Sequence, residues 1–186
     1  FKRDCRLTRG VGVVYKCQLS EDLKPQLLDM GICEVLLPLT DSPSIEVQGN
    51  SAAALGNLSS KADDYAPFNA VWDKPAGGLH GYLVRFLESE DTTFQHIAVW
   101  TLIQLLESGN HELEQHIRDS PHLLDLVRQL QPRIGTVESE HEQADTSTAA
   151  DTSGQDVSPE REIAALSRRI EEILFEESDD GTSDAK

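Results

Sequence analysis

Residues 31–60 read GICEVLLPLTDSPSIEVQGNSAAALGNLSS, and a shift of 47 positions lays them without a gap over residues 78–107, GLHGYLVRFLESEDTTFQHIAVWTLIQLLE. Six of the thirty positions are identical: Gly31/Gly78, Leu36/Leu83, Ser42/Ser89, Gln48/Gln95, Leu55/Leu102 and Leu58/Leu105. Conservative matches keep the same register: Ile32/Leu79, Leu37/Val84, Leu39/Phe86, Val47/Phe94 and Asn57/Gln104. Each copy opens on a glycine, runs through a short apolar helix and breaks at a polar turn, TDSPS or ESEDT. A longer helix follows, ending near Ser59 or Glu107. Ser44 and Asp91 stand at its N-cap, where a side-chain oxygen can accept one of the orphan N–H groups of the first turn.

A helical unit with a period of about 40–47 residues is the signature of a HEAT or armadillo solenoid. The expected fold is therefore an all-α armadillo-repeat α-solenoid, with about two full repeats within residues 21–131 and a terminal capping helix. In the first long helix Val47, Ala54, Leu55 and Leu58 recur at helical spacing and are expected to face the core. Asn50, Ala53 and Asn57 lie on a different stripe, and Ala52 and Ala54 keep bulk low where stacked helices meet. Residues 122–130, HLLDLVRQL, put Leu123, Leu126, Val127 and Leu130 on one face behind Pro121. They read as the closing helix, with no partner helix after it. The segment SEDLKPQLLDMG, residues 20–31, resembles NHELEQHIRDSP, residues 110–121, and so reads as the tail of an earlier repeat. The loop at 61–78 holds Tyr65, Phe68 and Trp72, read as a short helix covering the repeat edge or as an accessory aromatic contact for a partner.

Charge narrows the partners. The chain of 186 residues has a formal net charge of -17. Residues 21–131 carry 6 basic and 17 acidic side chains, residues 132–186 carry 5 and 15, and residues 1–20 carry 5 and 1. Nucleic acid or an anionic membrane surface would be repelled as the main partner, and a basic peptide or basic protein surface fits better. Cys5, Cys17 and Cys33 form no CxxC or Cys/His cluster, which points away from a disulfide framework or zinc site and towards a reducing compartment. No metal or cofactor is expected. The histidines His80, His96, His111, His116, His122 and His141 fit no catalytic or metal spacing, no phosphate-cradling loop is present, and all six read as solvated surface. An enzyme is not expected. No run of 18 apolar residues and no signal-peptide pattern is present.

The ends read differently. Residues 132–157 lack leucine and read as a disordered acidic linker, and residues 178–186 as a disordered tail. Between them residues 158–177 form an amphipathic helix, with Ser158 at the N-cap, Pro159 at the first position, and Ile163, Leu166, Ile170, Ile173 and Leu174 on one stripe. Docking on the repeats, dimerisation and independence all stay open for it. Residues 1–20 show no helical period, and Gly10 and Gly12 weaken any helix. Our hypothesis is that this segment is non-native, from a truncated or misread reading frame; a continuous mature transcript across Gln18–Asp22 would exclude it. The start at Phe1 reads as that of a fragment. Leu23, Leu27 and Leu28 would then lack a stacking partner, leaving an apolar flank.

Four segments, LKPQLLDMGICEVLLPL (23–39), SIEVQGNSAAALGNLSS (44–60), GGLHGYLVRFLES (77–89) and FQHIAVWTLIQLLES (94–108), closely resemble the C-terminal end of fungal vacuolar armadillo-repeat proteins, the vacuolar protein 8 family. The resemblance covers about residues 20–131. It implies a non-enzymatic adaptor, held by a lipidated N-terminus on the cytosolic face of the vacuole. Such an adaptor recruits partners for vacuole inheritance, vacuole fusion, nucleus–vacuole contacts and autophagy. Armadillo inner helices line a concave groove with asparagines, often with tryptophan one turn earlier. Here that pattern maps onto Asn57 with Ala53 in the tryptophan place, and onto Trp100 with Gln104 in the second repeat. Asn50, Asn57, Trp100 and Gln104 are thus the groove candidates for an extended peptide backbone; bracing a neighbouring turn is the other reading of Asn57. Neither repeat holds the complete Trp and Asn pair, a departure from an importin-like grip. The alternative function is an importin-alpha-like or catenin-like receptor for a basic peptide.

Overall fold

In a computed structural model, which describes residues 23–74, 77–131 and 158–176, the residues that recur between the two repeats are those that build their turns and seams. Gln48 donates through Nε2 to the Ser42 carbonyl at 2.5 Å, and Gln95 does the same to the Ser89 carbonyl at 2.6 Å. The Ser42 and Ser89 hydroxyls accept from the N–H groups of Ser44 and Asp91 at 3.2 and 3.1 Å. The same Ser–Gln lock therefore closes both turns. Gly31 and Gly78 start the short helices in the left-handed region, φ 77° and 53°, where a side chain is strained. Leu55, Leu102, Leu58 and Leu105 are all buried in the core.

The elements are α1 (Lys24–Asp29), α2 (Ile32–Leu39), α3 (Ile45–Ser59), α4 (Ala66–Ala70), α5 (Gly78–Glu88), α6 (Thr92–Leu106), α7 (His111–Arg118), α8 (Pro121–Gln129) and α9 (Pro159–Glu176). Asp91 caps α6 by accepting from the Thr93 N–H at 2.7 Å, and Asn110 caps α7 by accepting from the Leu113 N–H at 3.0 Å. Ser44 occupies the N-cap of α3 but its hydroxyl makes no capping bond. The start of α3 is fixed instead by Ser42 and Gln48.

Helices α3 and α6 run parallel, because Gly49 lies against the Phe94 ring while Gly56, two turns on, lies against Trp100 and Thr101. A Cβ at Gly56 would overlap the indole and come within 2.7 Å of Thr101 Oγ1. Small residues in the middle of α3 thus let two backbones touch. Helix α9 runs parallel to α6 on its other side, since Glu162 sits 3.2 Å from His96 and Arg169 sits 3.8 Å from Glu107. The units α1–α2–α3, α4–α5–α6 and α7–α8–α9 share one arrangement: a lead helix, a short helix and a long helix that joins the parallel row. The long helix missing after α8 in the sequence reading is α9. It lies beyond residues 132–157, too far along the chain for local periodicity to link the two.

Two core assignments on α3 need correction. Val47 is 36% exposed and Ala54 only half-buried, whereas Ser51, Ala52, Ala53, Leu55, Gly56, Leu58 and Ser59 are buried. Helical spacing puts Val47 and Ala54 on the open side with Asn50 and Asn57, because α2 and α6 claim the other sides. On the outer flank of α1–α3, Leu23, Met30, Val35, Leu39 and Ile45 are exposed, while Leu28 is buried and Leu27 half-buried. Opposite the open face, ion pairs tie α2 and its following turn to the second repeat: Glu34 to Lys74 at 2.6 Å and Asp41 to Arg85 at 3.9 Å. Cys33 is buried, and burial pushes its thiol up to about 11, which leaves little reactive thiolate at neutral pH. The expectations for residues 1–20, 132–157 and 178–186, and for Cys5, Cys17 and His141, fall outside the described residues.

Candidate functional site

The open face is the strip of α3 and α6 that neither neighbour covers. Asn50 is exposed there, and Asn57, Trp100 and Gln104 are half-buried. The Trp100 ring lies over Gly56, next in sequence to Asn57, so packing brings Asn57 and Trp100 together across the two helices. Gln104 follows Trp100 by one helical turn, and Asn50 precedes Asn57 by two. The amides of Asn50, Asn57 and Gln104 make no hydrogen bond among the described residues, unlike those of Gln48 and Gln95, which are spent on the turns. Each open amide offers two donors and one acceptor, the set that an extended peptide backbone requires. The face is therefore a row of uncommitted amides beside an indole.

Helix α9 widens this face with charge. Arg169 lies between Glu107, at 3.8 Å, and Glu172, at 3.4 Å. None of these residues is visible as a site in sequence, because the pairing of Glu107 with Arg169 exists only once α9 is seated.

Tyr65, Phe68 and Trp72 are core residues and not partner contacts: they are 8%, 1% and 3% exposed. The Tyr65 hydroxyl donates to the Ser59 carbonyl at 2.9 Å and accepts from the Ala62 N–H at 3.2 Å. Trp72 stacks on His116 with ring centroids 5.3 Å apart. Their burial follows from α4, which folds the loop back as a lead helix against α7. His96 also departs from its solvated reading. It is 2% exposed, and burial holds its imidazole below the ordinary value, an effect that Glu162 partly opposes. The sequence signal was absent because α9 is what covers it. Among the described residues no group of three His, Cys, Asp or Glu side chains is placed to hold a metal ion. No described helix is long and apolar enough to cross a membrane.

Comparison with known proteins adds to this geometry. The family model for the armadillo/beta-catenin-like repeat matches residues 20–60. Vacuolar protein 8 of Schizosaccharomyces pombe is 61% identical over 115 residues, which is 62% of this chain and 21% of that protein. Vacuolar protein 8 of Aspergillus fumigatus is 50% identical over 156 residues, 84% of this chain and 25% of that protein. Vacuolar protein 8 of Saccharomyces cerevisiae is 42% identical over 112 residues, 60% and 19% respectively. The chain spans about a fifth to a quarter of the length of these relatives.

Proposed function

This chain is an armadillo-repeat relative of the fungal vacuolar protein 8 sequences, and from that premise we propose that it is a non-enzymatic binding segment of a vacuole-associated adaptor. The observation that carries the reading is the open face of α3 and α6, where a row of three unspent amides runs beside a half-buried indole. A peptide laid across the parallel helices would exchange backbone hydrogen bonds with Asn57 and Gln104 and rest on Trp100. Its partners are proteins, in keeping with the vacuole inheritance, fusion, nucleus–vacuole contact and autophagy roles that the family resemblance implies. The cytosolic face of the vacuolar membrane is the matching location.

The test is affinity capture from fungal lysate with the chain and with an Asn57→Ala, Gln104→Ala double variant of matched helical circular dichroism. Vacuolar or autophagy proteins recovered by the first and lost by the second are the expected result; equal recovery would place binding off this face. The excess of acidic over basic side chains in residues 21–131 favours a second reading, a receptor for basic peptides. Binding that collapses when ionic strength rises past about 0.15 M supports that reading, and binding indifferent to salt excludes it.

A further inference from the structure

Helix α9 is joined to its short helix unlike the other two long helices of the row. Helices α3 and α6 follow their short helices through residues 40–44 and 89–91, each closed by the Ser–Gln lock, whereas residues 130–158 separate α8 from α9. Its buried stripe is Ile163, Ala164, Ser167, Ile170 and Leu174, with Leu166 and Ile173 half-buried beside them. The fit is incomplete. The buried Ser167 hydroxyl has no hydrogen-bond partner, and a cleft of about 220 Å³ opens between α8 and α9, lined by Leu124, Val127, Ile170, Leu174 and Phe175. Polar contacts then frame the stripe: His96 faces Glu162, Arg128 lies 3.3 Å from Glu171, and Arg118 donates to the Leu174 carbonyl.

We propose that the seat on α6 and α8 beneath α9 is a receptor for acidic amphipathic helices, filled within this chain by α9 and open to a partner helix of the same pattern. The seat reads a definite code. It takes apolar side chains at positions i, i+7 and i+11 (163, 170 and 174), small side chains at i+1 and i+4 (164 and 167), and carboxylates at i−1 and i+8 (162 and 171) opposite His96 and Arg128. It also takes one base at i+6 (169) opposite Glu107. A partner helix carrying that code presents to α6 and α8 the same buried positions and the same charges as α9 does. This inference does not depend on the amides of the open face.

The test begins with the full chain carrying a site-specific protease sequence within residues 132–157, cut after folding. Anisotropy of a fluorescein-labelled peptide of residues 158–177 then reports entry into the seat, while circular dichroism follows the body. The expected result is saturable, one-to-one entry of the peptide into the cut protein, with the body keeping its helical signal as the cut α9 leaves. An Ile170→Asp peptide should bind on the order of 100-fold more weakly, since it buries a charge, and a Glu171→Lys peptide several-fold more weakly. Failure of the labelled peptide to enter, equal binding of the Ile170→Asp peptide, or loss of body helix on release would each overturn the proposal. So would an uncut chain that exchanges α9 only between two copies, seen as a dimer by light scattering.

Discussion

Helices α6 and α9 lie side by side and parallel, and both bury an aliphatic stripe, yet they come to their places by opposite means. Helix α6 is buried along Gln95–Val99, Thr101–Ile103 and Leu105–Leu106, so only one narrow strip is left open. It enters through a turn of three residues, 89–91, that its own Gln95 locks. Helix α9 buries one side only, is separated from α8 by residues 130–158, and is ringed by ion pairs. Local chemistry sets the first, and long-range surface matching sets the second, so the two should lie at different levels of local stability.

The largest effect should come from placing a charge in each stripe. Leu102→Asp, at a fully buried position of α6, should abolish cooperative folding, because an unpaired buried carboxylate costs several kcal/mol, about the stability of a small domain. Ile170→Asp should release α9 alone, lowering helical circular dichroism by one helix while the remainder still unfolds cooperatively in urea. If both variants unfold completely, the distinction between the helices is lost.

The next effect lies along the α3–α6 seam. Gly56→Ala forces a methyl into Trp100 and Thr101 and should cost about 1–3 kcal/mol by overpacking. Gly49→Ala, whose methyl would meet the Phe94 ring at an ordinary 3.5 Å, should instead gain about 0.5–1 kcal/mol of helix propensity. Opposite signs in paired denaturant melts would show that contact, and not helix propensity, governs this seam.

Smaller still is the turn lock. Gln95→Ala removes a buried amide and leaves the half-buried Ser89 carbonyl without its donor, and should cost about 1–2 kcal/mol. Gln48→Ala, half-buried, should cost less than 1 kcal/mol by roughly the same rule. Equal losses in thermal melts would break the parallel with burial.

These experiments bear on how far the sequence could be read. The two repeats were legible because their identical residues, Ser42/Ser89 and Gln48/Gln95 above all, act within a few residues of one another, where spacing alone shows the pattern. The helix at 158–177 was legible as a helix for the same reason. Its seat was not, because nothing in Ile163 or Ile170 names α6 as the partner. The error at Val47 has a related cause: two adjacent stripes of α3 are both partly apolar, and only the position of α6 decides which is covered. Asn57 and Trp100 meet across the α3–α6 seam, with Gln104 one turn further along α6. Tyr65, Phe68 and Trp72 were ambiguous because an aromatic loop looks alike in sequence whether it turns outward or folds under.

The faintest predicted effect is a pH dependence at the α6–α9 contact. Burial lowers the His96 pKa in the folded state, so the fold prefers the neutral ring. Its contribution is present above the ordinary imidazole value of about 6.5 and is lost as pH falls from there through the lower folded value. The fall in stability as pH drops below about 6.5 should therefore flatten in His96→Gln, read by urea titration at each pH. An unchanged slope would mean that the ring does not respond to its cover.

The two tryptophans of the chain occupy unlike surroundings: Trp72 is buried and stacked on His116, and Trp100 stands half open above Gly56. The molecule thus carries two built-in optical reporters. Emission from Trp72, buried against the His116 ring, reports the interior. Emission from Trp100 shifts with whatever settles on the open face, so single-tryptophan variants would let light distinguish occupancy from unfolding in one cuvette.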